Sequence, residues 1–317
     1  MATRAQLNDP AELLNKHDRL KETKEQGVAA SSFLLQDAGD NEGGTVSPDY
    51  ISRTTPAGVE TLPIVHPDRV RPVFNLAKGW KHLKILVKDK DRTDELFGVL
   101  DSLPWRGVGE AAAEFLATDQ GRKIYQLEAY LPDILDDHAT LRKMPKGSFA
   151  DVYCNFMEAE GLTAAGLIEE ANVYRKDNVI LEDGVEWYNN RLRDTHDILH
   201  VLTGYGRDTF GEQCLLAFLF DQRPSPGHLF LAWLGTLLMK AKLKTKAPFL
   251  RAFLQARRDG RLTQRIVEQP IRELLPLPME EVRRRLNVPE PTKYLQVLEI
   301  WRSEGTDPHA LLGAQPA

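Results

Sequence analysis

His196 and His200 stand four residues apart in Arg193-Asp194-Thr195-His196-Asp197-Ile198-Leu199-His200, a stretch with a helical period. Their imidazoles therefore leave one helix face a turn apart, which is the spacing a two-histidine metal site needs. Asp197 sits about 100° round the helix from His196. It can serve as a third ligand at the edge of the site, or accept an imidazole N–H as a supporting carboxylate. Thr203-Gly204-Tyr205-Gly206 then offers glycines where a helix would end in a left-handed turn, and a second helix is expected from Asp208 or Thr209. Glu212 falls in the first turn of that helix, and helices joined by a short loop pack antiparallel, so Glu212 can come level with the histidine pair. Two imidazoles with one or two carboxylates suit zinc, and equally Fe(II), Mn(II) or Co(II). The bland alternative is a surface or packing pair, with Thr209-x-x-Glu212 acting as a capping box that ties Glu212 to a backbone amide. A metalloprotease is the weaker metal reading, because Asp197 is one methylene shorter than the general-base glutamate of His-Glu-x-x-His and no strong third-ligand signature follows.

The elements that would position these residues are helical. Val73, Leu76, Trp80, Leu83 and Leu86 form one apolar stripe, and Phe115, Ile124, Leu127 and Leu131 continue at similar spacing. Further helices are expected over 148–160, 183–203, 209–221, 227–241, 247–257, 278–287 and 292–303, punctuated by glycine and proline. No strand is expected. Residues 36–63 collect Gly39, Gly43, Gly44, Ser47, Pro48, Pro56, Gly58 and Pro63, the composition of a loop or linker. The chain therefore divides into an N-terminal arm and linker, residues 1–65 and partly disordered, and an all-α, multi-helix single domain over residues 66–317.

Composition narrows the classes. In 317 residues, 41 Lys plus Arg face 46 Asp plus Glu, a net charge of -5, which argues against nucleic acid as a partner. Cys154 and Cys214 make neither a disulfide framework nor a zinc ribbon and are expected to be buried, so a reducing compartment fits. Asp9, Glu12, Asp18, Glu22 and Glu25 speak against a transit peptide, and the expected location is cytoplasmic. The longest apolar run, Leu229 to Met239, falls well short of the roughly 20 residues that span a bilayer. His66, His82, His138, His228 and His309 are isolated in sequence and are read as structural or surface residues.

One region is lipophilic. Leu215, Leu216, Phe218, Leu219 and Phe220 are followed by Leu229, Phe230, Leu231, Trp233, Leu234, Leu237, Leu238 and Met239, which build either core or the wall of an apolar tunnel. From Lys240 to Arg265 nine cations face the single acid Asp259. Basic residues beside apolar helices suit peripheral contact with anionic lipid, and equally a solvated face beside a buried one.

These residues resemble a known family. His196-Asp197-x-x-His200, then eleven residues and Glu212, reproduces the His-Asp-x-x-His-x11-Glu signature of the coenzyme Q (ubiquinone) biosynthesis protein family. Arg191-Leu192-Arg193-Asp194-Thr195 and Leu202-x-Gly204 are similar to the family's approach to and exit from that signature. Asp119 to Ile124, Leu141 to Phe156 and Pro278 to Leu286 resemble its other motifs, in order, across roughly residues 72 to 300. Ala150 stands where the family has glycine, and the N-terminal 65 residues have no counterpart.

The resemblance implies an all-α protein, often a homodimer, holding a divalent metal, usually zinc, through His196, Asp197, His200 and Glu212. It implies an apolar tunnel for polyprenyl quinone precursors, peripheral membrane contact beside other ubiquinone-biosynthesis enzymes, and oxidative decarboxylation at ring carbon 1, where hydroxyl replaces carboxyl. The same four residues would then be catalytic, with the metal as Lewis acid and Arg191 or Arg193 pairing with the substrate carboxylate; for either arginine the alternative is a solvated face or a structural ion pair. Two rival functions use the same residues: a non-catalytic lipid-presenting scaffold with a structural metal, and a hydrolase of a lipid phosphate.

Overall fold

The computed structural model describes residues 49–88, 92–174 and 180–308, so the expected arm lies outside the described residues as far as residue 48. The chain divides into two units, Met1–Ser47 with Thr54–Glu60, and Pro48–Arg53 with Thr61–Ala317. The described part of the first is the tip of a hairpin, and the second carries every described helix.

Fifteen α-helices and one two-stranded sheet make up the described residues, in agreement with an all-α protein. The helices are α1 (Leu76–Lys88), α2 (Thr93–Ser102), α3 (Val108–Leu116), α4 (Asp119–Leu127), α5 (Pro132–Leu135), α6 (His138–Leu141), α7 (Phe149–Glu160) and α8 (Ala164–Tyr174). They continue with α9 (Gly184–Thr203), α10 (Thr209–Gln222), α11 (Pro226–Lys242), α12 (Phe249–Leu262), α13 (Ile271–Leu274), α14 (Met279–Leu286) and α15 (Thr292–Ser303).

The absence of strands is the expectation that fails. Residues read as linker form β1 (Tyr50–Thr55) and β2 (Gly58–Pro63). β1 is rich in β-branched and aromatic residues, β2 carries Val59 and Thr61, and Gly58, at φ 127°, takes a backbone conformation that other residues resist. Glycine and proline here mark the turn of a hairpin rather than a loop throughout.

The largest core cluster joins α7, α9, α10, α12, α14 and α15 through residues such as Phe149, Tyr153, Ile198, Leu202, Phe210, Phe218, Phe253 and Trp301. A second cluster gathers Ile51, Ile64, Phe115, Tyr125, Val185 and Tyr188 around the first turns of α9. Leu83 of α1, Val99 of α2 and Leu231 of α11 make a third. Of the apolar stripe read over residues 73–86, only Leu83 is buried; Val73 precedes the helix, and Leu76 and Trp80 are 72% and 59% exposed. Helical periodicity there marks the helix correctly but not which side of it the core covers.

α9 is fixed at both ends. Asp183 caps its start by accepting from the Glu186 N–H at 2.8 Å and is itself held by Arg69. At its end Gly204 adopts the left-handed conformation, φ 75°, as the sequence implies. The carbonyls of Leu202 and Val201, which have no partner within the helix, accept from the Arg283 guanidinium of α14 at 2.9 and 3.4 Å.

Candidate functional site

α9 and α10 bring the sequence-singled donors together. His196, Asp197 and His200 each present a ligand atom within 4.8 Å of the others. The two imidazoles lie 5.1 Å apart, ring centre to ring centre, at 82°. Glu212 Oε1 comes to 3.4 Å from His200 Nε2 across the loop.

That approach depends on how α10 begins. Its N-cap is Asp208, whose carboxylate accepts from the N–H groups of Phe210 and Gly211 at 3.1 Å. Thr209 is therefore not the first residue of a capping box, and Glu212 is free of that duty and turned toward His200. Tyr294 of α15 donates its hydroxyl to Asp208 and accepts from the Gly206 N–H at 3.0 Å, which locks the loop.

His200 is the deepest member, 2% exposed. Its Nδ1 lies 2.9 Å from the Tyr205 carbonyl; a carbonyl only accepts, so Nδ1 donates and the neutral ring keeps its Nε2 lone pair for the cluster. Phe156 of α7 stacks on the ring at 5.8 Å and 22°. His200 Nε2 is buried with the Glu212 carboxylate beside it at 3.4 Å, a pairing that a cation among these four donors would replace with ligand bonds. Two imidazoles and two carboxylates are the donors zinc and the first-row divalent ions accept, so the residues present fit such a metal.

Charge is tuned by burial. Burial, then the charge of His200, pushes the His196 imidazole down to about 3. Burial raises the Asp197 carboxyl above its usual range, against the pull of His200. For His200 burial opposes the charged ring, but the hydrogen bond and charge of Glu212 outweigh it and the imidazole rises; Glu212 correspondingly falls below its ordinary value despite burial. A neutral His196 is the form a metal needs as ligand.

Arg191 is placed elsewhere. Only 1% exposed, it donates from Nε to the Val267 carbonyl at 2.7 Å and from Nη2 to Glu128 at 2.6 Å and the Gln269 carbonyl at 2.7 Å. It forms a buried ion pair joining α9 to the chain around α4 and residues 266–269, and its Nη1 is buried without a hydrogen-bond partner. Arg193 donates to Asn190 Oδ1 at 2.9 Å.

Some polar residues near the donors escaped the sequence reading. Arg223 ends α10 with its Nε buried and unpartnered, and His228 Nδ1, Thr236 Oγ1 and Gln213 Oε1 are buried in the same condition. The signal was their presence inside two greasy helices. Cys154 and Cys214 are buried free thiols, as expected.

The family model "Coenzyme Q (ubiquinone) biosynthesis protein Coq4" matches residues 108–292. A crystal structure of a protein from Nostoc punctiforme assigned to ubiquinone biosynthesis aligns with a TM-score of 0.49 at 23% identity, covering 68% of this chain and 99% of the other. No curated protein sequence matches the chain.

Proposed function

Because the chain belongs to the Coq4 family of coenzyme Q (ubiquinone) biosynthesis proteins, its work lies in ubiquinone biosynthesis, and we propose that it binds a polyprenyl-hydroxybenzoate at a divalent-metal site and replaces the ring carboxyl with hydroxyl. The observation that carries this reading is the convergence of His196, Asp197 and His200, with ligand atoms within 4.8 Å of one another, and of Glu212, 3.4 Å from the buried His200 Nε2. These four residues would hold the divalent metal, zinc in the family the chain resembles, which when bound would supply a Lewis acid for the oxygen of the aromatic head group. Tyr205, through its carbonyl, holds His200 in the tautomer that leaves Nε2 toward the cluster. Loss of carbon dioxide with gain of hydroxyl removes two electrons from the substrate, so dioxygen or another two-electron acceptor is a co-reactant.

Access favours an enzyme over a scaffold with a structural metal. A structural zinc site fills all four positions with protein ligands, whereas a catalytic one keeps a position for water or substrate, which solvent must be able to reach. The Glu212 side chain retains 31% of its accessibility, and His196 and Asp197 are only part-buried.

The prenyl chain and membrane belong to the same proposal. No helix among the described residues is long and apolar enough to cross a membrane. On α11, Phe230, Trp233, Leu237 and Leu238 remain exposed, followed by exposed Lys240, Lys242, Lys244 and Lys246. This supports peripheral contact with anionic lipid, from which a prenylated substrate would be drawn into an apolar tunnel. The arginines further along are engaged within the protein: Arg257 and Arg261 with Asp221, and Arg265 with Glu268.

Elemental analysis of the purified chain beside His200→Ala tests the proposal. One equivalent of zinc, iron, manganese or cobalt, lost in the variant, is the expected result. A folded wild type that stays metal-free after reconstitution would overturn it.

A further inference from the structure

Beyond the four donors, the seam between α9, α10 and α11 holds a row of polar groups that the protein leaves without partners. Arg223 stands one residue past α10, where its Nη1 reaches only the Leu192 carbonyl of α9, at 3.5 Å, one turn before His196. Its Nε is buried with no hydrogen bond, and no carboxylate pairs with it among the described residues. Burial, then the nearby charge of Arg193, pulls the guanidinium down to about 10, which agrees with a cation lacking a counter-charge. His228, in the first turn of α11, is 7% exposed with Nδ1 unpartnered, and the charges of Arg223 and His196 both reach it. Two turns on, Thr236 is fully buried with its hydroxyl unpartnered. Gln213 of α10 lies over Gly235, where any Cβ would overlap its amide, and its Oε1 is unpartnered too.

A part-buried guanidinium whose Nε is shut away from water without a carboxylate is tolerated only at a cost, and neutral buried orphans add to it. Arg223 and His228 stand near enough to His196 for their charges to act on one another, Gln213 follows Glu212 on α10, and Gly235, over which Gln213 lies, precedes Thr236. A ligand carrying an anion and ring oxygens would satisfy the set, and the planar fork of arginine matches a carboxylate. We propose that Arg223 is the receptor for the carboxylate of an aromatic hydroxy acid, and that His228, Thr236 and Gln213 line the same subsite and orient its ring. The proposal rests on the reading of the neighbouring cluster as a substrate site and gives that site its specificity for an acid. It assigns to Arg223 the carboxylate-pairing role that the resemblance offers to Arg191 or Arg193, Arg191 being already paired with Glu128.

The test compares 3-geranyl-4-hydroxybenzoate with its neutral amide, 3-geranyl-4-hydroxybenzamide, by calorimetry in detergent on the full chain, with metal content measured in every sample. The wild type is expected to prefer the acid by about tenfold or more. Arg223→Gln is expected to bring the ratio near one while keeping wild-type metal. If Arg223→Gln does not fold, Arg223→Lys decides: a reduced ratio supports the proposal and an unchanged ratio overturns it. A wild type indifferent to the carboxylate overturns it without any variant. An acid preference that survives in Arg223→Gln but vanishes in His200→Ala places the carboxylate on the metal, which sinks this inference and leaves the metal reading intact. A metal-free wild type that still loses its acid preference in Arg223→Gln does the reverse.

Discussion

Arg191 and Asp259 show opposite fates of a buried charge. Arg191 meets Glu128, 3% exposed, whose second oxygen accepts from the Arg272 N–H at 2.7 Å, so the pair is neutralised and hydrogen-bonded. Arg191→Met leaves Glu128 buried and uncompensated and is expected to cost about 3–5 kcal/mol in urea unfolding, with metal per folded molecule unchanged. Loss of metal with unchanged stability would instead return Arg191 to the site. Asp259, 2% exposed on α12, has Arg258 Nε at 3.4 Å and the Gln255 amide as its weak partners. Burial raises its folded pKa above the ordinary 3.8, against the pull of Arg258. A carboxyl raised in the folded state is no liability below its unfolded value, and stability is lost as pH climbs from 3.8 toward the folded value. Asp259→Asn is therefore expected to raise the melting temperature at about pH 8 and to leave it unchanged near pH 3.5; equal shifts at both would show that charge is not the cause.

At the scale of elements, the join between α9 and α10 sets the geometry of the donors. A Cβ at Gly211 would collide with the Gly206 carbonyl and meet Asp208 Oδ2 at 2.9 Å, so Gly211→Ala must push the loop aside. The expected cost is about 1–3 kcal/mol, with metal affinity falling because Glu212 moves away from His200. A metal titration unchanged by this substitution would show that Glu212 is not a ligand. Much of this join is legible in the sequence. The span of α9, the left-handed Gly204, the start at Thr209 and the level of Glu212 follow from spacing, since local backbone chemistry decides them. The cap is less legible: Asp208 and Thr209 are both good N-cap residues, and only the structure shows Asp208 in that place. The partners of Arg191 could not be read, because Glu128, Val267 and Gln269 are brought to it by tertiary packing across distant sequence. His228 and Arg223 were hidden for the same reason, as one residue's isolation in sequence says nothing of its neighbours across a helix seam. The hairpin was missed because proline and glycine outweighed the β-branched residues around them.

For the molecule as a whole, exposed apolar side chains gather on α1 and α11, in Leu76, Trp80 and Val87 and in Phe230, Trp233 and Leu237. Replacing Lys240, Lys242, Lys244 and Lys246 by Gln is expected to weaken sedimentation with anionic vesicles by about two to three orders of magnitude in apparent affinity, at roughly 1 kcal/mol per lysine. Trp233→Ser should weaken it further at every salt concentration, and binding indifferent to both changes would remove the lipid surface from the proposal. The four candidate donors all lie between residues 196 and 212, on two consecutive helices, whereas the Arg191 clamp draws on residues 128, 267 and 269. Closing the first loop costs little chain entropy, and closing the second costs more. Contacts so near in sequence can form early in folding, so a cation caught by this helical hairpin would reach the nascent chain before the domain closes around it. Zinc added during refolding should then speed the first kinetic phase, while zinc added to the finished apo-protein would have to pass the part-buried Glu212 side chain.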